Sequence, residues 1–180
     1  MRVISGKYKG QAIEGFDING TRPTMSRVKE SLMATIQNYI PNSKVLDLFG
    51  GSGGIAIEML SMGAKSAYIV DNNKIAIDTI NRNIKKLKIT EEVKVIKNDY
   101  QKALKNFNET NTKFDIIFLD PPYNLNYINN VLKLIKEYDL LNDEGIIVCE
   151  YEKEQVDTND FTLLKEKTYS SKTVKIYQNK

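Results

Sequence analysis

From residue 45 onward, short apolar runs alternate with longer segments whose apolar residues recur every three or four positions, so the hydrophobic repeat switches between 2 and 3.6. That alternation predicts parallel strands joined by helices. Strands are expected at 44–49, 67–71, 93–98, 114–120 and 145–151, each rich in Ile, Val, Leu or aromatic residues, and several end in a carboxylate or amide. Between them, 54–62, 74–88, 101–107 and 128–138 read as helices; Ile77, Ile80, Ile84 and Leu87 share one face of the second. Segments 161–169 and 173–178 alternate as strands about a turn at 170–172, predicting a closing antiparallel hairpin. At the front, 3–4 and 11–13 flank Gly6 to Gly10 as a small hairpin. Thr24 or Ser26 then caps a helix running to about Tyr39, before Pro41. The expected fold is α/β: a mostly parallel seven-stranded sheet (44–180) preceded by a hairpin-plus-helix extension (1–43).

A chain of 180 residues with 41% hydrophobic positions suits one compact unit. It has no His and no Trp, and its one cysteine, Cys149, is expected to be plain core. An imidazole base and a disulfide framework are thereby excluded, and no metal is expected. No apolar stretch approaches the roughly 20 residues that span a bilayer, and residues 1–7 lack the apolar segment of a secretory signal. The expectation is a monomeric cytoplasmic protein with no membrane association.

The net charge of +3 says little, but its distribution says more. Residues 1–44 hold seven basic groups against three acidic, whereas residues 45–150 hold 13 against 15. Three of the four arginines, Arg2, Arg22 and Arg27, lie in the front segment, and guanidinium groups suit bidentate phosphate contacts.

Residues 45–54, Val-Leu-Asp-Leu-Phe-Gly-Gly-Ser-Gly-Gly, describe a buried strand running into a glycine turn and a helix. In an open parallel sheet, ligands bind beyond the carboxyl ends of strands where the strand order reverses. Two cofactor classes compete for such a loop. Gly51-x-Gly53-x-x-Ala56 is a passable dinucleotide fingerprint, with Asp71 placed 20 residues beyond Gly51 to hold a ribose hydroxyl. Asp47, however, precedes the glycines at the strand end, where a carboxylate opposes a pyrophosphate and favours a ligand carrying ammonium or sulfonium. That favours S-adenosylmethionine. No Gly-Lys-Ser/Thr ending supports a phosphate-binding nucleotidase loop.

The fourth strand stops at Asp120-Pro121-Pro122-Tyr123. A proline pair cannot donate to a ladder and makes a rigid loop. The same four residues also answer a chemical problem. An exocyclic amine on a nucleobase is a poor nucleophile because its lone pair is delocalised into the ring. Asp120 and the Pro121 carbonyl would accept the two amine hydrogens, with Pro122 fixing the carbonyl's direction, so that the lone pair faces an incoming methyl. Tyr123 would stack on an extruded base. Asp120 would then take the proton released after transfer.

The pattern at Asp47, Phe49, Gly51 and Gly53 resembles the first motif of class I methyltransferases, and residues 120–123 resemble the signature of amino-methyltransferases acting on adenine N6, cytosine N4, guanine N2 or a glutamine amide. The resemblance implies a Rossmann-like methyltransferase fold. It also implies cofactor contacts from Asp71 and Asn72 to the ribose, and from Asp99 and Tyr100 to the adenine. Gly6-Lys7-Tyr8-Lys9-Gly10 and the run from Thr21 to Leu32, with those motifs, resemble the bacterial RsmD family over nearly the whole chain. That likeness implies methylation of guanine N2 in 16S ribosomal RNA, in the assembled 30S subunit, with S-adenosylhomocysteine as co-product. It further implies that Arg22, Thr24 and Arg27 border the cofactor and RNA pocket, and that Arg2, Lys7, Lys9 and Lys29 meet RNA. Ser26, Met33 and Gln11 depart from the family's usual acid, aromatic and basic residues.

A nicotinamide-dependent reductase would share the glycine loop, but nothing here supplies a hydride-transfer acid. A DNA adenine methyltransferase usually carries an added recognition region that this length does not allow. A non-catalytic RNA-binding module would leave residues 120–123 without purpose.

Overall fold

The computed structural model describes residues 1–15, 24–122, 127–152, 156, 158–169 and 172–180; for residues 24–27 it describes the backbone but not the side chains. Helix α1 (Thr24–Ile36) leads into strand β1 (Lys44–Asp47). There follow α2 (Gly54–Ser61), β2 (Ser66–Asp71), α3 (Lys74–Leu87), β3 (Val93–Lys97), α4 (Tyr100–Glu109), β4 (Phe114–Leu119), α5 (Tyr127–Glu137), β5 (Leu141–Tyr151), β6 (Phe161–Tyr169) and β7 (Lys172–Asn179). The seven strands form one sheet in the order β3-β2-β1-β4-β5-β7-β6. Pairing is parallel from β3 through β5 and antiparallel for β5–β7 and β7–β6. The order reverses between β1 and β4, which opens a crevice at their carboxyl ends.

Buried strands β1 and β4 read as near-continuous apolar runs because helices cover both faces of the sheet. On one face Val45, Ile116, Phe118, Val148 and Ile176 pack with Leu32, Met33 and Ile36 of α1, Ala56, Ile57 and Met59 of α2, and Ile80 and Ile84 of α3. On the other, Leu46, Ile117, Leu119 and Ile147 pack with Leu104 and Phe107 of α4 and Val131, Leu132 and Ile135 of α5. Every expected strand and helix of residues 44–180 is found, with edges shifted. Strand β5 starts at Leu141, four residues earlier than expected. Its register against β4 jumps between Phe114 and Ile116, and the polar run at 142–144 sits in that irregularity. Helix α1 ends in a 3-10 turn at Gln37–Tyr39. Of the expected closing turn at 170–172, residues 170 and 171 lie outside the described residues and Lys172 opens β7.

The expected front hairpin is a loop closed by one bridge, Arg2 to Ala12, rather than a ladder. Val3 N–H donates to Gln11 O at 3.0 Å and Gly10 N–H to Val3 O at 2.8 Å around a 3-10 turn at Gly6–Tyr8. Side-on packing against α2 replaces further pairing. Val3, Tyr8 and Ile13 join the first core, and a Cβ on Gly6, whose φ is +76°, would lie 1.8 Å from the carbonyl oxygen of Ser61. Glu58 of α2 is fully buried and accepts from Ile4 N–H at 2.7 Å, while Ser61 Oγ accepts from Tyr8 N–H at 2.9 Å. Asn83 of α3, also fully buried, accepts from Glu14 N–H at 2.7 Å and donates to the carbonyls of Glu14 and Ser52, both at 3.0 Å. The front loop is thus tied to the glycine turn through one side chain.

Candidate active site

The crevice is floored by the turn after β1. Gly50 N–H donates to Val70 O at 2.8 Å and Gly53 N–H to Gly50 O at 2.7 Å, folding residues 50–53 back over β2. Gly53 is the N-cap of α2 with φ +77°, a left-handed conformation that a side chain resists. Asp71, at the end of β2, accepts from Gly51 N–H at 2.9 Å and from Asn73 N–H at 2.8 Å. One carboxylate therefore clamps the glycine turn at the strand end where a ribose was expected, with lone pairs to spare. Asn72 beside it is exposed.

Asp47 is 2% exposed, and its carboxylate accepts from the backbone N–H groups of Phe49 and Ala56. Those amides and the N-terminus of α2 favour its ionised form. Burial outweighs them, and the neighbouring Asp71 charge adds to it, so the Asp47 pKa is pushed up to about 7. Among the described residues no cation pairs with it. A buried acid in that condition fits a ligand that brings its own positive charge.

Asp120 follows β4 directly. Asp47 pairs in register with Phe118, and Leu119 with Cys149, so residues 47, 120 and 150 lie on one face at successive strand ends. Desolvation first, then the Glu150 charge, raise the Asp120 pKa well above the carboxylate range; Asp47 and Glu152 add to this, and Lys172 opposes it. Pro121 is buried and Pro122 exposed. Tyr123 lies outside the described residues, so its expected stacking role has no structural counterpart here.

Three aromatic rings gather after β1 and at the starts of α4 and α5. Phe49, after β1, lies 5.8 Å from Tyr100 and 6.2 Å from Tyr127 in a near-parallel stack, with Tyr100 and Tyr127 5.2 Å apart. Asn130 Nδ2 donates to Tyr100 Oη at 2.9 Å and fixes that ring. Such faces offer a planar base a stacking platform. Asp99, expected at the adenine, caps α4 by accepting from Lys102 N–H at 3.0 Å, which lowers its pKa. Sequence reasoning missed Tyr127 and the Glu150–Lys172 pair. The acid ending the fifth apolar run was a usable signal for Glu150, whereas nothing in the sequence marks an aromatic at the start of a helix as functional.

The basic front divides. Lys7 and Lys9 are exposed on the loop, and Arg2 Nη1 donates to Gly10 O at 2.7 Å while remaining exposed. Lys29 is a correction: expected on RNA, it turns inward and pairs with fully buried Glu58 at 2.8 Å, because an acid inside an apolar helix requires a counter-charge. Arg22 lies outside the described residues, and the side chains of Thr24 and Arg27 are not described. Cys149 is buried within β5, as expected. Among the described residues no helix is long and apolar enough to cross a membrane.

A family model described as conserved hypothetical protein 95 matches residues 1–178. The chain is 39% identical to YlbH of Bacillus subtilis over 183 residues, covering 100% of both. It is 32% identical to ribosomal RNA small subunit methyltransferase D of Haemophilus influenzae, covering 99% of this chain and 94% of that one. Among solved structures, yhhF from Escherichia coli superposes with a TM-score of 0.88 at 27% identity, covering 100% and 98% of the two chains.

Proposed function

The chain belongs to the family described as conserved hypothetical protein 95, the RsmD family, and from that membership we propose that it methylates the exocyclic N2 amine of a guanine in 16S ribosomal RNA. S-adenosylmethionine, the proposed donor, supplies an electrophilic methyl carbon on a sulfonium and departs as S-adenosylhomocysteine. The observation that carries the reading is the adjacency of two differently burdened acids: Asp47, buried without a cation, and Asp120, which holds protons tightly beside a rigid proline pair.

Each residue has a defined task. Asp47 binds the cofactor's ammonium and orients it over the glycine turn. Asp71 keeps that turn in place and accepts from ribose hydroxyls; Phe49, Tyr100 and Tyr127 shelter flat rings from water. Asp120 and the Pro121 carbonyl accept the two N2 hydrogens, turning the amine lone pair toward the methyl carbon. Asp120 then takes the proton that leaves nitrogen, for which its raised proton affinity suits it. Arg2, Lys7 and Lys9 contact phosphates from the front loop. A ribosomal substrate implies action in the cytoplasm, and the proposed form of that substrate is the assembled 30S subunit, which would present one unstacked guanine.

The test is nucleoside mass analysis of small subunits from cells lacking this gene, after incubation with the protein and S-adenosylmethionine. One new N2-methylguanosine in 16S RNA is expected. N6-methyladenosine, or no methylated nucleoside, contradicts the assignment. Protein-free 16S RNA methylated as well as subunits at matched salt contradicts the assembled particle as substrate.

A further inference from the structure

Three side chains at the carboxyl edge of the sheet form a row whose order is set by the strands that carry them. Asp120 follows β4, Glu150 lies near the end of β5, and Lys172 begins β7, which is β5's next neighbour. Leu119 pairs with Cys149, so positions 120 and 150 are adjacent across strands spaced about 4.8 Å apart. Glu150 pairs with Val174, two residues beyond Lys172, so the side chains of Glu150 and Lys172 leave the sheet on the same face as Asp120. Lys172 Nζ donates to Glu150 Oε1, and both are largely buried, at 14% and 9% side-chain exposure. No structural need for this pair is evident in the strands themselves. Glu150 follows four fully buried apolar or thiol positions, Ile146 to Cys149, at a place where an aliphatic side chain would serve packing better.

Read along β4, β5 and β7, the row presents acceptor, acceptor and donor. The Watson–Crick edge of guanine presents, in linear order, the N2 amine, the N1–H donor and the O6 acceptor. We propose that Glu150 and Lys172 select guanine as the base to be methylated, Glu150 accepting from N1–H and Lys172 donating to O6 while Asp120 holds the N2 amine. This rests on the guanine N2 reading above and assigns its specificity to two residues. Adenine and cytosine offer an amine to Asp120 but turn a ring-nitrogen acceptor toward Glu150, so two acceptors face each other in a site with little water. A glutamine amide has no second donor at that position. Glu150 keeps one oxygen for Lys172 and offers the other to the base, and an ammonium has three donors to share. The same Glu150 charge supports Asp120 as the proton acceptor.

The test replaces the target guanine with 2,6-diaminopurine, which keeps the N2 amine but carries an acceptor at N1 and a donor in place of O6. Reconstituted small subunits bearing either base are methylated by wild-type protein, Glu150→Gln and Lys172→Gln. Wild-type kcat/KM is expected to favour guanine by about 100-fold or more, because a site built for a donor rejects its absence strongly. A glutamine amide can donate to N1 of diaminopurine, so Glu150→Gln should cut that preference by about tenfold or more; Lys172→Gln, with a carbonyl able to face the new amine, should cut it similarly. A structural role would lower both rates together and leave the ratio unchanged, and a ratio within twofold of wild type in both variants overturns the proposal. Should Glu150→Gln fail to fold, the ratio for Lys172→Gln alone decides. A wild-type protein that leaves guanine unmodified overturns the substrate reading as well, whereas guanine methylation with unchanged discrimination in the variants overturns only the role of this pair.

Discussion

Two buried acids sit at opposite ends of one helix and are treated differently. Glu58, in the second half of α2, is fully enclosed and fully answered: Lys29 Nζ at 2.8 Å, Ile4 N–H at 2.7 Å and Ser5 N–H at 3.4 Å. Asp47, whose carboxylate meets the first turn of α2, receives backbone amides but no cation among the described residues. The first arrangement fastens the front loop and α1 to α2. The second leaves a charge for something outside the chain to satisfy. A buried acid is therefore a poor indicator of function by itself; what distinguishes a latch from a binding site is whether the protein supplies the opposite charge.

That contrast is sharpest at the reacting end of the sheet. Asp120→Ala should lower methyl transfer by about 10³-fold while leaving S-adenosylmethionine affinity within about threefold, measured by a transfer assay and calorimetry on the same preparation. Full retained activity removes Asp120 from the chemistry.

The two ends of α2 should respond with opposite signs. Glu58→Ala strands the Lys29 ammonium in the core and is expected to cost about 3 kcal/mol or more, lowering the melting temperature by about 10 °C. Asp47→Asn removes a charge the ligand-free protein gains nothing from. Its melting temperature at pH 8 should rise by a few degrees, whereas affinity for S-adenosylmethionine falls by about 10-fold or more. Equal destabilisation by both substitutions erases the distinction.

The pH dependence follows from the same acid. With its folded pKa raised from 3.8 to about 7, Asp47 holds a proton in the folded state that the unfolded chain has already released between those values. Its contribution to stability is greatest below pH 4, declines as pH rises to about 7, and is level above that, at most about 1.4 kcal/mol per pH unit. Thermal unfolding of the ligand-free protein from pH 5 to 8 should show a decline to which Asp47 and Asp120 both contribute, and Asp47→Asn should make it shallower.

The smallest expected effect lies on the front loop. Arg2→Ala with Lys7→Ala should reduce the salt dependence of RNA binding by about two phosphate contacts, with melting temperature nearly unchanged. Lys29→Met should do the reverse, leaving the salt slope intact and lowering the melting temperature.

Residues 44–180 were legible because each buried strand is an apolar run bounded by polar ends and each covering helix repeats every 3.6 positions. The exceptions lay where local pattern and pairing part company. Asn142, Asp143 and Glu144 lie ahead of the expected strand at 145–151, yet they belong to β5 because a register irregularity against β4 accommodates polar residues. Asp47, the glycines and Asp71, picked out by their spacing along one βαβ unit, are brought together by the fold. The second duties of Asp71 on Gly51 N–H and of Asp99 as a helix cap were not picked out, since these depend on which backbone amides the fold leaves unpaired. Lys29 was misread for a related reason. Its neighbours in sequence suggest a basic surface, but its partner is 29 positions away on another helix, and only the buried acid within the apolar run of α2 hinted at it.

Asp47 is proposed to be held ready for a cationic cofactor. Titration calorimetry of S-adenosylmethionine at pH 5.5 and 7, below the range in which an α-amino group loses its proton, tests this directly. Wild-type affinity should tighten by about tenfold across that interval as Asp47 ionises, and Asp47→Asn should bind more weakly at both pH values with no such gain. A wild-type affinity independent of pH, or an Asp47→Asn protein that keeps both the affinity and its pH dependence, would contradict the account.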